Sequence, residues 1–205
     1  RYHRQAPLER PLGAMIKSAV LIINLGTPEA PTAPALRQYL KQFLWDPRVV
    51  ELPRPLWWLV LNGVILNTRP KKSAEKYAKV WTPEGSPLKV HTERQAKLLR
   101  GYLGQSGQGD LVIDWAMRYG EPSVASVLDR LIAQGCIRIL VLPLYPQYSV
   151  STTASAMDAV SAWARRHPRA AEVATVESFH EDPRYIAALT ASINGHWMDY
   201  GRPEK

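Results

Sequence analysis

Four groups of side chains in this sequence combine usable chemistry with a setting that could use it. Arg118 and Tyr119 close an apolar run over residues 111–117, and an arginine at a strand end can hold a carboxylate. Tyr145 and Tyr148 flank Pro146-Gln147, and together they offer aromatic and hydroxyl walls to a flat ligand. Ser86, between Gly85 and Pro87, can hydrogen-bond a ligand, and Trp57, Trp58 and Leu61 can line an apolar lip. Each has a structural alternative. Arg118 can sit in a salt bridge, the tyrosines in loop packing, Ser86 in a turn, and the tryptophans on a buried helix face. The residues alone leave these alternatives open.

Other chemistries are excluded more firmly. Gly26 stands alone after the first apolar run, so the G-x-G-x-x-G dinucleotide fingerprint is absent, as are a Walker phosphate loop and a G-x-S-x-G elbow. Cys136 is the only cysteine, which excludes an internal disulfide and an all-cysteine zinc site. It opens an apolar run and reads as a core residue. His3, His91, His167, His180 and His196 show no i, i+4 or similarly close ligand pairing.

The elements that must position these residues follow from hydropathy patterns. Residues 18–25 form a continuous apolar run ended by Gly26, as expected of a strand buried on both faces. Residues 111–117, 137–142 and 173–176 predict three further strands. Helical spacing predicts helices over 34–44, 56–66, 71–80, 88–103, 122–134, 151–166 and 183–198. Strands alternating with helices indicate βα units around a parallel sheet, an α/β fold. Ligands of such sheets sit beyond the carboxyl ends of the strands. The segments after Leu25, Met117 and Leu142 are therefore expected to face one crevice.

The 205 residues carry a net charge of +8, unevenly spread. Residues 1–100 hold 17 basic and 7 acidic side chains, and residues 101–205 hold 9 and 11. A basic half suits an anionic partner. The acidic second half and the lack of any nucleic-acid motif argue against DNA or RNA. No apolar run reaches the ~18–20 residues of a membrane span, and residues 1–17 lack the apolar core of a secretory signal.

Six motifs in order resemble the ferrochelatase family. They are Leu21-Ile22-Ile23-Asn24-Leu25-Gly26-Thr27-Pro28, Tyr39 to Leu44 with Asp46 to Val50, Gly63 to Leu66, Trp81 to Leu88, Met117-Arg118-Tyr119-Gly120, and Leu142 to Ser149. The resemblance covers residues 16–203 and the N-terminal part of the family's length. It implies a chelatase-like, Rossmann- or flavodoxin-like lobe with a four-stranded parallel sheet flanked by helices. The resemblance also implies a second, similar lobe, expected to lie outside this chain. On that reading residues 1–15 are an N-terminal extension, expected to be disordered. Residues 16–200 are the lobe, and residues 201–205 begin a connection to the absent lobe.

The implied activity is insertion of ferrous iron into protoporphyrin IX to give protohaem, with iron as substrate and two protons released. The basic half would meet the propionates, and Leu25, Trp57 and Trp58 the macrocycle. By motif, Leu25, Ser86, Arg118, Tyr119 and Tyr145 are the implied substrate-binding residues, and no metal ligand is assigned. Val150 stands where some relatives place a cysteine of an iron–sulfur cluster, so no cofactor of that kind is expected. Ser178-Phe179-His180 imitates the family's catalytic motif, but Glu181-Asp182-Pro183 departs from it, and His180 is read as a structural loop residue. The catalytic histidine and its glutamate partner are expected beyond residue 205, and the chain alone is expected to be inactive. Alternatives are a non-catalytic porphyrin- or partner-binding module and a cobalt-chelating relative. The expected location is the cytoplasm, with peripheral membrane contact an open addition.

Overall fold

The structure, a computed structural model, describes residues 17–203. The extension expected over residues 1–15 lies outside them. Four strands form one parallel sheet: β1 (Lys17–Gly26), β2 (Val112–Tyr119), β3 (Cys136–Pro143) and β4 (Glu172–Thr175), in the order β2-β1-β3-β4. In register, Ile22 lies beside Trp115 on one side and Leu142 on the other. The helices are α1 (Ala33–Trp45), α2 (Arg54–Val60), α3 (Leu66–Val80), α4 (Pro87–Gln105), α5 (Val124–Ala133), α6 (Ser155–Arg166) and α7 (Pro183–Tyr200).

β1 is apolar from Ala19 to Ile23 because both its faces are covered there. Leu21 and Ile23 point into a core with Val127, Leu128 and Leu131 of α5 and Val160 and Trp163 of α6. Ile22, on the opposite face, packs with Ala96 of α4 and Ile113. A third cluster, Trp57, Leu61 and Leu66, ties α2 to α1 through Leu40 and Leu44.

The structure departs from the sequence reading in four places. First, β2 runs on through Arg118 and Tyr119, which belong to the strand and not to the loop after it. Second, helix continues across residues 66–71, where Pro70 predicts a break. A single π-helical turn (Leu61–Ile65) joins α2 to α3, and Pro70 lies inside α3. A proline there leaves the Leu66 carbonyl without its helical donor. Arg37 replaces it, donating Nη1 to that oxygen at 2.5 Å. Third, the helix expected over 151–166 opens with a π-helical turn (Val150–Ala154) before α6. Fourth, Trp57 is buried and donates its indole N–H to the Leu44 carbonyl at 2.7 Å, so of the two tryptophans only Trp58 is free to face a ligand.

Candidate functional site

In a parallel sheet wound outward from β1 in both directions, the crevice opens beyond the carboxyl ends at the β1/β3 switch point. Residues 26–28 leave β1 there, Arg118 and Tyr119 end β2, and residues 144–149 leave β3. Two glycines let the ends of β1 and β2 touch. Gly26 has φ +108°, and a Cβ on it would lie 1.8 Å from the Tyr119 carbonyl oxygen. Gly120 has φ +84°, and a Cβ there would lie 2.7 Å from the Thr27 carbonyl oxygen. Neither position has room for a side chain.

Behind these ends lies a closed polar cluster. Asp46, just past α1, is 6% exposed. Its Oδ2 accepts from Arg118 Nη2 at 2.6 Å, the Tyr119 hydroxyl at 2.7 Å and Ser155 Oγ at 2.5 Å. Its Oδ1 accepts the Arg48 N–H at 2.7 Å. Arg118 Nε also donates to the Ser155 carbonyl and hydroxyl. Burial works against the Asp46 carboxylate, but the Ser155 and Tyr119 hydroxyls, the Arg48 N–H and Arg118 outweigh it and hold its pKa below the usual value. Burial pushes the Tyr119 phenol up to about 12. The ring of Tyr119 meets Phe43 edge-on, with centroids 5.2 Å apart. The cluster thus joins the end of β2 to the chain after α1 and to the start of α6.

The sequence-predicted residues therefore divide. Arg118 and Tyr119 come together, but as members of the Asp46 cluster. Ser86 is buried at the N-cap of α4, accepts the Thr27 hydroxyl at 2.8 Å, and so ties the loop after β1 to α4. Leu25 is half-buried at the mouth of β1, where Leu21 and Ile23 on the same face are fully covered. Tyr145 is half-buried, and its hydroxyl is sequestered without a hydrogen-bond partner among the described residues. Burial and the nearby Tyr119 raise its pKa, against the opposing pull of Arg118. His180 lies near the same place: the backbone N–H groups of Phe179 and His180 donate to the Pro146 carbonyl at 2.9 and 3.1 Å.

Beside the cluster lies an open apolar groove of about 300 Å³ between α1 and the α2 turn, lined by Lys41, Gln42, Trp45, Trp58, Leu61 and Asn62. Gln42 links it to the sheet edge, since its Oε1 accepts the Gly120 N–H at 2.9 Å. Leu56, Trp58 and Leu59 are all more than half exposed, a contiguous apolar patch on α2. Among the described residues, no group of three or more His, Cys, Asp or Glu could hold a metal ion, and no helix is long and apolar enough to cross a membrane.

The ferrochelatase family model matches residues 17–205. The chain belongs to the ferrochelatase family. It is 58% identical to the curated ferrochelatase of Aromatoleum aromaticum over 94% of this chain and 53% of that protein. It is 59% identical to that of Chromobacterium violaceum over 92% and 52%, and 58% identical to that of Methylibium petroleiphilum over 99% and 55%. The chain thus spans about half the length of the curated relatives it matches, their N-terminal portion.

Sequence reasoning missed the organising role of Asp46, and with it Ser155 and Gln42. One signal was present: Asp46 is the only carboxylate between Glu29 and Glu51, in a stretch carrying Arg37, Lys41 and Arg48. It sits at a helix end before Pro47, where a buried acid serving several donors can also cap the turn.

Proposed function

We propose that this chain is the ferrochelatase lobe that supplies an apolar wall and a basic rim for protoporphyrin IX, while the groups that take the pyrrole protons lie in the portion of the relatives it does not span. Metal insertion exchanges two pyrrole protons for one ferrous ion and yields protohaem. The work assigned to this chain is to bind and orient the macrocycle. Leu25 and the α2 patch, with Trp58 at its centre, pack against the ring, and burial of a flat apolar ligand on such a surface is favourable. Lys41 at the groove rim and the excess of basic charge in residues 1–100 attract the propionates. The Asp46 cluster holds β2 and α6 in place behind the site, with Tyr145 near Tyr119 and Arg118 at the strand ends. The proton acceptors, a histidine and a glutamate by family resemblance, act from the other portion.

The observation that carries this reading is the open apolar groove joined through Gln42 to the strand ends. The test is anaerobic incubation of the purified chain with protoporphyrin IX and ferrous iron, read by absorbance. The expected result is no protohaem above the uncatalysed rate. Turnover at a rate comparable to a full-length relative would overturn the assignment of proton transfer to the other portion.

A further inference from the structure

Along α6, Asp158, Ala159, Ala162, Arg165 and Arg166 recur at helical spacing on one side. The two alanines are short. Beside them an open cavity of about 600 Å³ lies between α6, the start of α5 and the chain at Asp46 and Pro47. It shares no lining residue with the groove at Trp58, and the porphyrin reading makes no use of it.

Asp46, Asp158, Arg118, Arg165 and Arg166 are the charged residues that line this cavity. Both acids are already matched. Asp46 holds Arg118 within its cluster, and Asp158 Oδ2 accepts Arg48 Nε at 2.8 Å. Arg118 uses Nε and Nη2 in its bonds to Ser155 and Asp46 and leaves Nη1 outside them. Arg165 and Arg166 are exposed, and neither has an acidic partner among the described residues. Arg166 donates only Nε, to the Ala162 carbonyl of its own helix at 3.2 Å. With each acid neutralised, the charges of Arg165 and Arg166 stand at the cavity uncompensated.

We propose that this cavity binds a small organic phosphate. The planar guanidinium fork matches the oxygens of a phosphate and can hold two of them at once. Arg165 and Arg166 supply the charge, and Arg118 Nη1 supplies a further donor. The volume falls within the roughly 300–1,000 Å³ of small-molecule sites and exceeds what a bare phosphate needs. Val124, Ala159 and Ala162 give the rest of such a ligand an apolar surface. A cation would be repelled by the uncompensated arginines, and a neutral apolar ligand would bury them without a partner. The proposal is independent of the porphyrin reading.

The test is calorimetric titration of the chain with glycerol 3-phosphate, in phosphate-free buffer at constant ionic strength. The wild type is expected to bind it saturably. Arg165→Gln combined with Arg166→Gln is expected to weaken binding about tenfold or more, the loss of at least one charge-assisted hydrogen bond. Arg184→Gln combined with Arg202→Gln removes the same charge at exposed positions outside the cavity and is expected to leave the affinity unchanged. Succinate, a dianion without a phosphate, is expected to bind more weakly than glycerol 3-phosphate. In the wild type, glycerol 3-phosphate is also expected to slow hydrogen exchange along α6, a readout that needs no variant. No saturable binding would overturn the proposal. So would an equal loss in the two double variants, equal affinity for succinate, or binding without protection of α6.

Discussion

The two sides of the sheet's carboxyl edge are built on opposite terms. At the end of β2, Asp46 is surrounded: three side-chain donors converge on one carboxylate oxygen, and the carboxylate, Tyr119 and Ser155 are buried while Arg118 keeps partial exposure. Across Gln42, the α2 patch is apolar and uncovered, with Trp58 and Leu59 more than half exposed. Polar groups are thus buried and engaged where the lobe holds itself together, and apolar groups are exposed on α2, where the proposed function places the porphyrin. A polar cluster with its donors and acceptors paired marks internal support, and an open apolar surface marks a candidate interaction site.

Breaking the closed side is expected to have the largest effect. Asp46→Ala would leave Arg118 and the Tyr119 and Ser155 hydroxyls without their shared acceptor. Removing one partner of a buried ion pair costs about 3–5 kcal/mol. In a chain of this size that is expected to lower the melting temperature by about 10 °C in a calorimetric scan. An unchanged melting temperature would mean that the cluster does not hold the strand ends.

Acid sharpens the same contrast. A carboxyl held below its unfolded value of 3.8 stabilises the fold above that pH, and the contribution is lost as pH falls through its folded-state value. The stability difference between the wild type and Asp46→Asn is therefore expected to be constant from pH 7 to about 5 and to shrink below pH 4. Urea unfolding across that range measures it, and a difference independent of pH would remove the charge from the account.

The smallest effect is expected on the open side. Trp58→Ala removes a side chain that is 54% exposed. It is expected to change unfolding stability by no more than about 0.5 kcal/mol. A larger loss would place Trp58 in the core with Trp57.

Much of this fold was legible in the sequence because its strands are buried on both faces. Runs such as residues 18–25 and 137–142 can be read without knowing what covers them. The breaks were harder to read, for two physical reasons. Pro70 signals a helix end only if nothing replaces its missing N–H, and the replacement, Arg37, lies 33 residues earlier. Arg118 and Tyr119 sit at a strand end in any reading, but their partners Asp46 and Ser155 are 72 and 36 residues away in sequence. Local pattern cannot show such pairs. It showed which types of residue gather at the edge and left open which of them face a ligand. Trp57 and Trp58 are adjacent and chemically identical, and only tertiary packing separates them.

On the proposed function the open groove, and not the Asp46 cluster, meets the porphyrin. Titration of the chain with protoporphyrin IX, following the Soret band, tests it most directly when wild type and Trp58→Ala are compared. A saturable band shift is expected in the wild type, with binding weakened about tenfold in Trp58→Ala, roughly the 1.4 kcal/mol of one lost aromatic contact. No band shift in the wild type, or equal affinity in the two proteins, would contradict it.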